Sequence, residues 1–198
     1  MPIDIFLALL GFAVVSSVTP GPNNLMLLSS GVTFGFRRTI PHMLGIGVGF
    51  VVLLLAVGAG LGALLTALPW LHTALKIAGG LYLLYLAWRI ATAGSVDPEG
   101  AAGARPMGFW AAAAFQWVNP KAWLMAVSAM ATYTIPADYL VTMLLVAAAF
   151  GVVNLPCVSL WAALGSALRP LLSAPRLERG FNVTMALLLV ASLWPMLK

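Results

Sequence analysis

Two short stretches hold the residues whose types and spacing could do chemistry. Thr19-Pro20-Gly21-Pro22-Asn23-Asn24 interrupts an apolar run near the N-terminus, and Asn119-Pro120-Lys121 interrupts another about half a chain later. Proline lacks an N–H and clashes with the carbonyl four residues earlier. Pro20 and Pro22 should therefore free the carbonyls of Ser16 and Val18, and Pro120 that of Gln116. Gly21 lets the backbone turn or approach another segment closely. Asn23 and Asn24 place donors and acceptors where a new half-helix would begin. Such a start presents unpaired N–H groups and a positive dipole end, a seat for a carboxylate. Lys121 is the only cation well inside an apolar segment, and a charge there marks a functional site by default. The competing readings are a packing kink capped by Asn23 and a lysine that snorkels to an interface. The distance of Lys121 from both ends of its segment argues against snorkelling.

Other reactive groups are sparse. The carboxylates Asp4, Asp97, Glu99, Asp138 and Glu178 all fall near segment ends or in loops, which leaves proton coupling without an obvious acidic carrier. His42, beside Pro41, is the candidate proton carrier, against the plainer reading of an interface histidine. His72, beside Trp70, reads as an interface histidine in a loop. The single cysteine, Cys157, excludes an intrachain disulfide and a multi-cysteine metal cluster, and reads as a small buried apolar residue. No GxSxG, HExxH or P-loop is present. The chain is not read as an enzyme, and nothing calls for a cofactor or a metal.

The elements that must position these residues follow from composition. Of 198 residues, 62% are hydrophobic and 8% charged, with a mean hydropathy of +1.03. A soluble domain usually carries about 25% charged residues. So charge-poor a chain is an all-α integral membrane protein whose natural partner is the lipid bilayer. The net charge of +5 is scattered between apolar segments, so it does not point to nucleic acid. The apolar start, residues 5–15, could pass for a signal peptide. It is preceded by an acidic rather than a basic stretch, and so reads as the first span.

A span needs about 20 apolar residues, and six candidates emerge: 3–30 (broken), 39–67, 70–91, 108–133, 139–168 and 181–197. The segment 92–107 is rich in Gly, Ala and Pro and reads as a linker loop between a first three-helix repeat (1–91) and a second (108–198) within one membrane domain. Under six spans, one side of the membrane collects Arg37, Arg38, Arg89, Arg105, Arg169, Arg176 and Arg179, seven of the ten basic residues. The positive-inside rule makes that side cytoplasmic and puts both termini outside.

Three spans per half mean that any repeat is inverted across the membrane. "TPGPNN" and "VNPKAW" pair a proline with an asparagine in the first span of each half, and "LGALL" (61–65) and "LGSAL" (164–168) close spans two and five. Paired broken helices, here the first and fourth, mark transporter substrate sites. Glycines four apart (Gly31 and Gly35, Gly45 and Gly49, Gly58 and Gly62) provide grooves for close helix packing, within a protomer or in a homodimer.

In order and spacing, "VTPGPNNLMLLSSGVTFGFRRTIPHMLGIGVGF", "LKIAGGLYLLYLAWRI" and "FQWVNPKAWLMAVSAM" resemble the lysine exporter (LysE/RhtB) family over nearly the whole chain. The resemblance implies a bacterial inner-membrane exporter of amino acids or their derivatives, driven by the proton gradient. It carries over Thr19, Pro20, Gly21 and Pro22, and Asn119, Pro120 and Lys121. The scarcity of buried acids argues against a basic substrate and for a small neutral amino acid. By alternating access, its carboxylate would meet Gly21, Asn23, Asn24 and Lys121. Its ammonium would meet carbonyls near Ser16 and Gln116 and the side chain of Asn119. An exporter of an inorganic ion or another metabolite, and a non-transporting assembly module, remain the alternatives.

Overall fold

The computed structural model describes residues 1–92, 105–172 and 174–194. Among these, every regular element is a helix. Most of the expected linker, residues 93–104, lies outside the described residues, as does Lys198.

Helix α1 (Ile3–Val18) runs to the first break and α2 (Pro22–Phe34) resumes beyond it, the two bent by 54°. Gly35 then takes a positive φ of 79° and turns the chain into α3 (Phe36–Ala56). A π-helical turn follows at Val57–Leu61, with Gly60 at φ 108°, before the short α4 (Gly62–Ala67). Span two thus ends in a kink where a glycine tolerates the left-handed backbone. Helix α5 (Pro69–Ala91) includes His72, which was expected in a loop. Proline at the first helical position is well suited to start it.

The second break separates α6 (Phe109–Phe115) from α7 (Pro120–Tyr133). A 3-10 turn at Pro136–Asp138 leads to α8 (Tyr139–Leu168), and another at Arg169–Leu172 precedes α9 (Pro175–Ala191). Helix α9 starts six residues before the apolar stretch expected there, because Pro175 initiates it and charged first turns are compatible with helix. That earlier start puts Glu178 in the first turn of the helix, near the segment end where it was expected, and buried at 3% exposure. Cys157 is half-buried rather than buried.

By length and composition, three helical stretches among the described residues suffice to cross a membrane: Phe36–Leu61, Thr73–Ala91 and Pro136–Leu172. The bent α1–α2 pair makes a fourth when counted as one span. Large apolar side chains such as Val152, Leu187, Leu140 and Trp110 are more than half exposed, as lipid-facing residues are.

Helix α8 packs against α1, α2 and α3, while α3 packs on α6 and α5 on α9. The core is correspondingly divided. One cluster includes Leu9, Phe50, Leu54, Met125 and Phe150, a second Leu25, Leu83, Phe115 and Leu189, and a third Leu27, Ile46 and Ala162. Several glycines of the expected grooves are consumed inside the protomer. A Cβ on Gly31 would stand 2.9 Å from the Ser166 nitrogen, and one on Gly165 would stand 2.9 Å from the Leu28 carbonyl carbon. Gly45 and Gly49 meet α6 backbone in the same way. These stripes therefore hold helices of one chain together and give no support to a homodimer.

Inserting bulk into such a contact costs about 1–3 kcal/mol. Gly165→Val should lower the midpoint of thermal unfolding in detergent and shift the protein toward aggregate on size-exclusion chromatography. Gly80→Ala, where a Cβ meets nothing within 4 Å, should leave both unchanged.

Candidate functional site

The two breaks meet. Pro22 opens α2 and Pro120 opens α7, each at the first helical position, where its missing N–H goes unneeded. At the first break Gly21 is extended, with φ −173°, so its backbone does not itself demand glycine. Glycine instead leaves room for the Lys121 side chain. A Cβ there would stand 2.6 Å from Cδ of Lys121.

Lys121 reaches across from the start of α7. Its Nζ donates to the Thr19 carbonyl, and to that of Pro20 at 3.4 Å. These are carbonyls at the C-terminal end of α1, the negative end of that half-helix, where a cation is favoured. The ammonium belongs to the N-terminal turn of α7, whose own dipole disfavours it. The acceptors across the gap offset that cost. Beside this link, Asn23 and Gln116 exchange amide bonds, Asn23 Nδ2 to Gln116 Oε1 at 2.8 Å and Gln116 Nε2 to Asn23 Oδ1 at 3.2 Å.

Two of the carbonyls freed at the breaks find partners. The Trp161 indole N–H donates to the Val18 carbonyl at 3.1 Å, and the Asn119 N–H donates to the Gln116 carbonyl at 3.4 Å. Asn24 turns back toward α1, and its Nδ2 donates to the Ser17 and Thr19 carbonyls at 2.9 and 2.8 Å. Asn119 caps α7, its Oδ1 accepting from the Lys121 N–H at 3.1 Å. Asn24 and Asn119 thus hold the breaks in shape, the first through its Nδ2 and the second through its Oδ1. At the start of α2 the first intrahelical bond is Leu25 N–H to the Gly21 carbonyl, 3.0 Å. The N–H groups of Asn23 and Asn24 precede it and point out of the helix end.

Around these groups lies a cleft. Its polar lining is Ser16, Ser17, Asn23, Asn24, Gln116, Asn119, Lys121 and Asn154, and Phe50, Ala122, Met125 and Val158 supply apolar wall. The space inside is about 20 Å³, room for about one water. The cleft is narrow, and an amino acid fits only if its walls part.

Of the residues expected at the site, Gly21, Asn23, Asn24, Asn119 and Lys121 line this cleft, with Pro20 and Pro22 beside it. His42 does not. It is 2% exposed on α3, and neither ring nitrogen has a hydrogen-bond partner among the described residues. The residue missed from sequence is Asn154, on α8, two positions before Pro156. Leu155 separates it from that proline, unlike the adjacent asparagine–proline pairs at the two breaks. Gln116, expected to offer only its carbonyl, offers its side chain.

Broken helices that meet head to tail around a polar cleft in an apolar bundle are the construction of a membrane transporter. The sequence model of the family described as LysE type translocator matches residues 5–191. The cysteine/O-acetylserine efflux protein of Escherichia coli strain K12 is 34% identical over 184 residues, 90% of each chain. Its namesake from Salmonella typhimurium is 31% identical over 183 residues, with the same coverage. No solved structure matches. The chain belongs to the LysE family, a membrane efflux transporter rather than an enzyme.

Removing the cap at the second break tests its role. Asn119→Ala should destabilise the folded protein by about 1 kcal/mol, read as a lower unfolding midpoint in detergent. Asn119→Asp, which keeps the accepting oxygen, should recover most of that loss.

Proposed function

We propose that this protein exports a small neutral amino acid, or a close derivative, across the inner membrane by alternating access, in exchange for protons. The observation that carries the reading is the link from Lys121 to the Thr19 and Pro20 carbonyls. It sets a cation against helix-end carbonyls, beside the cleft that Lys121, Asn23 and Asn24 line. That inventory matches a zwitterion. The substrate carboxylate is received by the Asn23 and Asn24 N–H groups with Lys121, and its ammonium by the Thr19 and Pro20 carbonyls, which the lysine gives up. Pro20, Gly21, Pro22 and Pro120 shape the breaks, and Asn119 fixes the turn on which Lys121 rides.

The names of the relatives, both cysteine/O-acetylserine efflux proteins, favour a small neutral substrate. No acidic side chain lines the cleft, which also disfavours a basic one. We place six crossings in two inverted three-helix repeats, with α1–α2 and α6–α7 as the broken spans. Arg169 Nη1 lies 3.5 Å from where a Cβ on Gly35 would stand, close to exposed Arg37 and Arg38. This gathering of arginines supports a cytoplasmic α2–α3 turn and outer termini. A homodimer would pair lipid-facing surfaces other than the glycine stripes. His42, buried and with unpartnered nitrogens, is the proposed proton carrier.

Counterflow in liposomes with a panel of radiolabelled amino acids, with and without a pH gradient, tests this. Wild type should exchange small neutral amino acids, faster with the gradient. Lys121→Ala should abolish exchange while inserting and folding normally. Exchange of none of the panel would overturn the exporter reading, and full exchange by Lys121→Ala would remove that residue from the site. His42→Ala should keep exchange but lose its dependence on the gradient.

A further inference from the structure

The groups suited to a carboxylate and an ammonium do not exhaust the cleft. Asn154 projects from α8 and is 5% exposed. Its Nδ2 donates to Ser17 Oγ at 3.2 Å, and its Oδ1 has no hydrogen-bond partner among the described residues. A buried amide oxygen left unpaired costs about 1–3 kcal/mol, so such a group in a native fold asks for an explanation. Packing does not supply one, since leucine would fill a similar space without the cost.

The surroundings are specific. Val158 lies one turn along α8 from Asn154, on the same face, and lines the same cleft. Phe150, one turn back, meets Phe50 of α3 edge-on, with centroids 5.3 Å apart and planes at 81°. Phe50 in turn lines the cleft. The amide and the Ser17 hydroxyl are thus a polar spot within an aliphatic and aromatic wall. They are carried by α8 and α1, whereas the cation and the helix-end N–H groups are carried by α7 and α2. A small amino acid held between the α2–α7 groups and the Thr19 and Pro20 carbonyls presents its side chain to the remaining wall.

We propose that Asn154 and Ser17, walled by Phe50 and Val158, form the subsite for the substrate's side chain, and that Asn154 is a specificity-determining residue. The subsite takes a short side chain bearing one polar group, such as a hydroxyl or thiol, over an aliphatic one of equal size. This rests on the reading of the chain as an amino-acid exporter. A hydroxyl or thiol gives Oδ1 the donor it lacks. An apolar isostere leaves it unpaired, and sites built to bond a polar substrate group reject analogues that lack it. In either orientation of the amide, one atom is tied to Ser17 and the other is presented to the ligand.

Liposome counterflow with serine and 2-aminobutyrate, which differ by hydroxyl against methyl, tests the assignment. Wild type should prefer serine by at least about 10-fold. Asn154→Leu should slow serine exchange while leaving or raising that of 2-aminobutyrate, bringing the ratio to about one. A milder variant, Asn154→Ser, keeps a hydrogen-bonding group and should give an intermediate ratio, and it supplies the reading if the leucine variant fails to fold. Equal loss for both substrates, or an unchanged ratio in both variants, overturns the assignment and makes Asn154 structural. Exchange of no amino acid by wild type overturns the exporter reading itself, and the subsite falls with it.

Discussion

In hydrocarbon a backbone N–H or C=O without a partner costs several kcal/mol, and no water is at hand to take it. Each proline in a spanning helix therefore creates a debt of hydrogen bonds that some other group must meet. This constraint organises the protein around its two breaks. The end of α1 is met from three directions: by Asn24 from the following half-helix, by Trp161 from α8 and by Lys121 from α7. The turn at 116–119 is met by its own backbone and by the Asn119 cap. What repairs the break also builds the site, because the repairing groups are polar and must converge where the helix is open.

The same constraint explains the division of labour among the asparagines. Asn24 and Asn119 spend their amides on backbone nearby in sequence, whereas Asn23 spends its on Gln116, 93 residues away. The first kind fixes the shape of one break, and the second registers one break against the other. Asn154 belongs to neither, since its Oδ1 is buried with no hydrogen-bond partner among the described residues.

Much of this was legible in the sequence. Charge-poor composition gave the membrane, and the proline-asparagine pairs gave the position of both interruptions, because a missing N–H acts through local geometry. The bounds of α8 followed from its uninterrupted apolar run. Less local facts were hidden. That Asn24 folds back on α1 and that Lys121 crosses to Thr19 depend on which half-helix faces which, and no periodicity encodes that. Glu178 sits in the first turn of α9, near a segment end as its position implied, but its burial between exposed Arg176 and Arg179 depends on packing that the sequence does not show. Asn154 was overlooked because a lone amide in an apolar helix has no spacing partner to draw attention to it.

The close approach at Gly31 and Gly165 has a mechanical consequence. With no side chain between them, the backbones of α2 and α8 lie against each other, and the glycines of α3 seat the backbone of α6 in the same manner. Each weld joins a helix from the first half of the chain to one from the second. The sequence halves are therefore not the moving parts. In the proposed alternating-access cycle, rocking that preserved these seams would carry α2 with α8 and α3 with α6, and would leave opening to surfaces without them.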